Sequence, residues 1–183
     1  MKLKEMMLAA LFAAMTAALA LIPPIQLPFT PVPITSQTLG VMLAGTVLGA
    51  RLGALSLIIF VILVAVGAPV LPGGRGGWPI FLLPNGGYIL SWPLAALVVG
   101  FLVERWAKDR AWKILAANLV GGLLVVYAVG TVYHALLANL PLKATVLPVV
   151  AYLPGDVIKA VVATMVGLRL RRILPHLLDE REN

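Results

Sequence analysis

The sequence contains no cysteine, which excludes disulfides and thiolate metal sites. Its 2 histidines are too few for a histidine metal cluster, and no HExxH pattern occurs. No GxxxxGK[ST] stretch occurs either, so this chain offers no P-loop for ATP. Charge is scarce as well: 11% of the 183 residues are charged, against 61% hydrophobic. A soluble domain of this size needs a polar surface, and these few, clustered charges do not supply one. The long apolar runs imply an integral membrane protein. The formal charge of +7 does not point to nucleic acid, because the basic residues flank apolar spans instead of forming one patch. An intramembrane enzyme would need a nucleophile, a base or a metal set. Ser56 and His134 are the nearest candidates, and nothing in the sequence joins them. His134 reads as an interfacial residue near an outer helix end. No catalytic set, metal site or cofactor motif is expected.

Six apolar segments are present, at about 6–23, 36–50, 52–68, 86–104, 114–137 and 147–168. A membrane span needs ~20 residues. The second and third segments are short, and merging them would give five spans. Charge decides between the two parses. With six spans, Lys2, Lys4, Arg51, Arg105, Lys108, Arg110, Lys113, Arg169, Arg171, Arg172 and Arg181 share one side, and only Arg75 and Lys143 lie opposite. The positive-inside rule then predicts a multi-pass cell-membrane protein with both termini cytoplasmic. Merging would put the 105–113 and C-terminal clusters outside. The whole chain, 1–183, reads as one all-α membrane domain. Lys2, Lys4 and the "ALA" at 18–20 resemble a signal peptide, but the apolar run suits a first span better.

The external connections are unusual. The first, "PPIQLPFTPVPITSQT" at 23–38, has five prolines and no charge. Proline fixes φ and lacks an amide donor, so this segment is expected to be a stiff, extended strap. The second, "GAPVLPGGRGGWPIFLLPNGGY" at 67–88, combines glycines with Trp78, Phe81 and Tyr88. Two readings are open: a surface loop packed on helix ends, or a segment dipping inward to line a cavity.

The last span, "YLPGDVIKAVVATMVGLRLRR" at 152–172, carries Asp156 and Lys159 in otherwise apolar surroundings. Pro154 suits a first helical turn, which would place Asp156 near a helix N-terminus. Residues at i and i+3 share a face, so Asp156 and Lys159 point the same way. An unpaired charge there costs at least ~2.5–3.5 kcal/mol. Either the two form a self-satisfied pair that locks the helix, or they are polar ligand groups in an apolar, aromatic pocket. In the first span, Ala9, Ala13 and Ala17 fall on one face, with Ala10, Ala14 and Ala18 beside them. Small residues at this spacing let another helix approach closely, as an internal seam or as a docking face for another membrane protein. Gly45, Gly49 and Gly53 form a similar series, serving either close packing or a turn at Arg51.

Four stretches in this order resemble the BioY family, the biotin-specific substrate-binding (S) components of energy-coupling-factor transporters. They are "PVPITSQTLGVMLAG" at 31–45, "GAPVLPGGRGG" at 67–77, "NGGYILSWPLAA" at 85–96 and "PGDVIKA" at 154–160. The resemblance covers nearly the whole chain. It implies a six-helix, non-enzymatic S component whose ligand is biotin, with an S component for a different vitamin as the nearest competing reading. It further implies three partner subunits, a transmembrane coupling protein and two cytoplasmic ATPases, which fits the missing P-loop. By resemblance, Asp156 and Lys159 bind biotin, Asn85, Gly87 and Tyr88 are pocket residues, and the strap 31–37, ending at Gln37, is a lid. Trp78, Phe81 and Tyr88 would cover the rings of the ligand. Ala9, Ala13 and Ala17 would meet the coupling protein. The chemistry agrees: Asp156 suits the ureido N–H groups of biotin, and Lys159 its ureido oxygen or carboxylate.

Overall fold

The computed structural model describes residues 3–173. Lys2, His176, Arg181 and both chain ends, on which part of the orientation reading rests, lie outside the described residues. Five helices are long and apolar enough to cross a membrane: α1 (Leu3–Leu21), α2 (Gln37–Ala65), α3 (Gly86–Ala107), α4 (Ala111–Ala138) and α5 (Leu142–Ile173). Every regular element among the described residues is helical, with two isolated antiparallel bridges in the connections.

The expected break between the second and third apolar segments takes an unusual form. Helical geometry runs from Gln37 to Ala65 except at Gly49, with φ 76° and ψ −173°. Only glycine adopts that region readily. A straight helix of 29 residues would hold its ends ~43 Å apart. Instead, the Gln37 side-chain amide donates to the carbonyl of Val70 at 3.0 Å. A Cβ placed on Gly53 would meet the Ala44 carbonyl oxygen at 2.9 Å. The chain therefore turns back at Gly49, and 37–48 and 50–65 pack as antiparallel arms. Glu104 accepts the Ala50 N–H at 3.1 Å, satisfying one orphan amide of the second arm. Arg51 thus lies in the first turn of that arm and not between two helices.

α2 sits at the centre. Met42, Leu48, Leu57 and Phe60 are among the most deeply buried side chains, and α1, α3 and α5 pack around them. Lipid offers no hydrophobic drive for helix association, so small residues and polar bridges carry it. Gly45 abuts Ala96 and Val99 of α3, and Gly167 of α5 abuts Thr46. A buried polar chain joins three helices: Thr46 donates to Asn118 at 3.0 Å, and Asn118 donates to Thr164 at 3.1 Å. Ser56 is fully buried and donates to the Gly53 carbonyl of its own helix at 2.8 Å, which consumes its proton locally.

The alanine face of α1 requires a correction. Ala9 is 0% and Ala13 1% exposed. They form an internal seam, because their small side chains bring α1 against α2. Ala17 is half-buried, and the exposed alanines are Ala10, Ala14 and Ala18, one residue around the helix.

The strap also departs from expectation. It is not extended throughout: Ile25 and Ile34 pair as an antiparallel bridge, with N–H to O=C distances of 3.0 and 2.9 Å. The turn between them holds Pro28, whose fixed φ suits the second position of a β-turn closed by Thr30 on Leu27. In the 67–88 connection, Leu71, Ile80 and Phe81 are buried, and Leu71 pairs with Arg75 across a turn at Gly73 and Gly74. This segment dips into the protein.

Candidate ligand site

A cavity opens between the strap, the 71–75 turn, the N-terminal ends of α2 and α3 and the middle of α4 and α5. Its apolar wall includes Val32, Ile34, Leu71, Ile89 and Val126, and its aromatic wall Tyr88, Trp92, Tyr127 and Tyr152.

The charged groups come from α5. Tyr152, Asp156 and Lys159 follow i, i+4, i+7 spacing, so one face of this helix presents all three to the cavity. Pro154 does not start the helix, which is already continuous from Val149. Asp156 therefore lies two turns inside and gains nothing from a helix N-terminus. Its charge is instead met directly. Lys159 Nζ donates to Asp156 Oδ1 at 2.6 Å, to the Thr35 carbonyl at 2.5 Å and to Thr38 Oγ1 at 3.1 Å. The Tyr127 hydroxyl donates to Asp156 Oδ2. All three ammonium protons thus have acceptors, one of them on the strap.

Tyr152, 5% exposed, holds the strap from the same helix. Its hydroxyl donates to the Val32 carbonyl at 3.0 Å and shares a hydrogen bond of 2.6 Å with Thr30. Gln37 anchors the other end. Its Nε2 donates to the carbonyls of Thr16 and Val70, both at 3.0 Å. Two carbonyls fix the amide orientation, since its oxygen would be repelled there. Gln37 Oε1 and Trp92 Nε1 are buried without a partner among the described residues, and both side chains line the cavity.

Asp156, Lys159, Asn85, Tyr88 and Gln37 therefore meet at one cavity. Three expected residues do not. Trp78 is 65% exposed and packs edge-on against Phe81, outside the lining. Phe81 is buried but also outside it, bonded through its carbonyl to the Tyr133 hydroxyl at 2.5 Å. Gly87 faces the Tyr133 ring, where any Cβ would collide, so it serves helix packing. Sequence reasoning missed Thr38, Arg75, Tyr127 and Tyr152 as lining residues. Tyr152 could have been found, being one helical turn before Asp156. Tyr127 could not, since it sits in an unbroken apolar run.

Comparison with known proteins places this geometry. A "Biotin transporter BioY" of Rhizobium etli is 47% identical over 173 residues, covering 91% of this chain and 92% of that protein. A "Probable biotin transporter BioY" of Bacillus subtilis is 40% identical over 174 residues, covering 95% of this chain and 94% of the other. A crystal structure of the S-component for biotin from an ECF-type ABC transporter superposes with a TM-score of 0.88 at 33% identity, covering 92% of this chain and 91% of that one. The BioY family model matches residues 1–176, and the chain belongs to the BioY family.

Proposed function

We propose that the chain binds biotin from outside the cell and serves as the substrate-binding subunit, not the motor, of an ECF-type transporter. The observation that carries this reading is the Asp156–Lys159 pair, 2.6 Å apart in an apolar, aromatic cavity roofed by the strap. The ureido group of biotin presents two N–H donors and a carbonyl side by side. Asp156 suits the donors, and Lys159 suits the carbonyl or the valerate carboxylate. A ligand acceptor would take over the place of Thr35 or Thr38 on the ammonium. Asn85 and Tyr88 complete the polar and aromatic contacts. Calorimetric titration of purified protein with biotin tests the proposal, with one site per chain expected. Saturable binding of another vitamin with no heat from biotin would overturn it.

Six membrane crossings in one domain, with both termini cytoplasmic, result if each arm of α2 crosses separately. The reversal at Gly49 and the charge distribution support this. Arg171 reaches the Thr46 carbonyl at 3.1 Å and Asp109 at 3.6 Å. These contacts gather the 46–51 reversal, the 104–113 corner and the basic end of α5 at one end of the bundle. The cavity lies at the other. The cationic end would face the cytoplasm, with a transmembrane coupling protein in the cell membrane and two cytoplasmic ATPases as partners. The exposed Ala10, Ala14 and Ala18 offer the coupling protein a close approach along α1.

A further inference from the structure

We propose that the corner formed by residues 101–113 is a binding site for an anionic phospholipid. The inference needs only that the chain is membrane-embedded, and it is independent of the ligand in the cavity.

The corner joins α3 to α4 and reads "FLVERWAKDRAWK". It carries Arg105, Lys108, Arg110 and Lys113, and its two acids are engaged with groups outside the corner. Asp109 pairs with Arg171 at 3.6 Å, and Glu104 holds the Ala50 amide at 3.1 Å. Lys113 rests on aromatic faces, 4.8 Å from the Trp106 ring and 5.5 Å from the Trp112 ring. The two indoles meet edge to face at 5.5 Å, and both are well exposed, at 43% and 61%. Such rings belong at the headgroup level of a bilayer.

The apolar surface above the corner selects a lipid over a soluble anion. Leu94, Leu97 and Phe101 are exposed and follow helical spacing down α3. Arg105 continues the stripe, its guanidinium 5.9 Å over the Phe101 ring. An acyl chain can lie along this stripe while the phosphate reaches the cations. Lys108 adds a second signal. It adopts φ 50° and ψ −116°, a left-handed conformation that favours glycine. The lysine at this strained position puts its charge at the tip of the turn.

Native mass spectrometry of the detergent-purified chain with equimolar phosphatidylglycerol and phosphatidylcholine tests this. Preferential retention of phosphatidylglycerol is expected. Each basic residue at an anionic surface contributes about fivefold, so Arg105→Gln with Arg110→Gln should reduce retention by about 25-fold. Lys108→Gly separates this from folding: it should raise the melting temperature by relieving the backbone, yet retain about fivefold less lipid. Inorganic phosphate should not compete. Equal retention of both lipids, full competition by inorganic phosphate, or unchanged retention in these variants would each overturn the proposal. Unchanged lipid retention with loss of the coupling protein would assign the corner to protein contact instead.

Discussion

Lys159 Nζ lies 2.6 Å from Asp156 Oδ1 and 2.5 Å from the carbonyl of Thr35, so a single ammonium joins the carboxylate of α5 to the strap. This arrangement fits a ligand site, and it also fits a staple that merely holds the helix and strap together. The two respond differently to removal of charge. Losing a hydrogen bond to a charged group costs ~1.5–3 kcal/mol, and 1.4 kcal/mol is tenfold in affinity. If the pair binds biotin, Asp156→Asn and Lys159→Met each weaken binding by about tenfold or more. The double variant should remain weak. A staple predicts the opposite: destabilised single variants and a neutral double that regains both melting temperature and affinity. Calorimetric titration beside thermal unfolding separates them.

Tyr152 gives the strap its other tether. Its hydroxyl meets Thr30 at 2.6 Å and the Val32 carbonyl at 3.0 Å. Tyr152→Phe keeps the ring and removes both bonds. Two neutral hydrogen bonds contribute ~2 kcal/mol, so biotin should dissociate roughly 25-fold faster. Thr30→Val should reproduce part of the effect, and the pair of changes should add little beyond Tyr152→Phe. Stopped-flow displacement measures the rate. An unchanged dissociation rate would show that the tether does not govern ligand exit.

Much of this arrangement is legible in the chain, and the misses have physical reasons. The apolar runs locate the helices, and i, i+3 spacing puts Asp156 and Lys159 on one face. Strap composition suggests rigidity but not folding back, because the Ile25–Ile34 pairing depends on a turn within the strap. Small residues at i, i+4 mark α1 as closely packed. That spacing cannot tell the seam of Ala9 and Ala13 from the exposed row of Ala10 and Ala14, since both rows repeat alike. Trp78 and Gly87 are close in sequence to pocket residues, and that nearness alone suggests a place in the pocket. Packing against Tyr133 for Gly87, and exposure beside Phe81 for Trp78, depend on tertiary structure.

Gly49 concentrates the topology in one residue. Its φ of 76° and ψ of −173° turn α2 back, and Gly100 packs directly on the reversal. Gly49→Ala should destabilise the protein by roughly 1–3 kcal/mol, from the strained backbone alone. Gly53→Ala acts differently, by forcing the two arms apart at Ala44. Thermal unfolding in detergent should show both variants less stable than the parent. If Gly49→Ala unfolds at the parent temperature, the reversal does not depend on glycine.

The two alanine rows of α1 make opposite predictions about one substitution. Ala9 is 0% exposed against α2, so Ala9→Trp overpacks the interior and should lower stability by about 1–3 kcal/mol or more. Ala14 is exposed, and Ala14→Trp should leave both the fold and biotin affinity close to the parent. Its indole would instead obstruct a helix packing on the small-residue row. Co-purification of the coupling protein with Ala14→Trp is expected to fall several-fold, and with Ala14→Gly to persist. Comparing tagged pull-downs with melting temperatures for all three variants distinguishes docking from folding. Normal assembly of Ala14→Trp would remove this face as the contact. A loss confined to Ala9→Trp, tracking its lower melting temperature, would trace the defect to the seam alone.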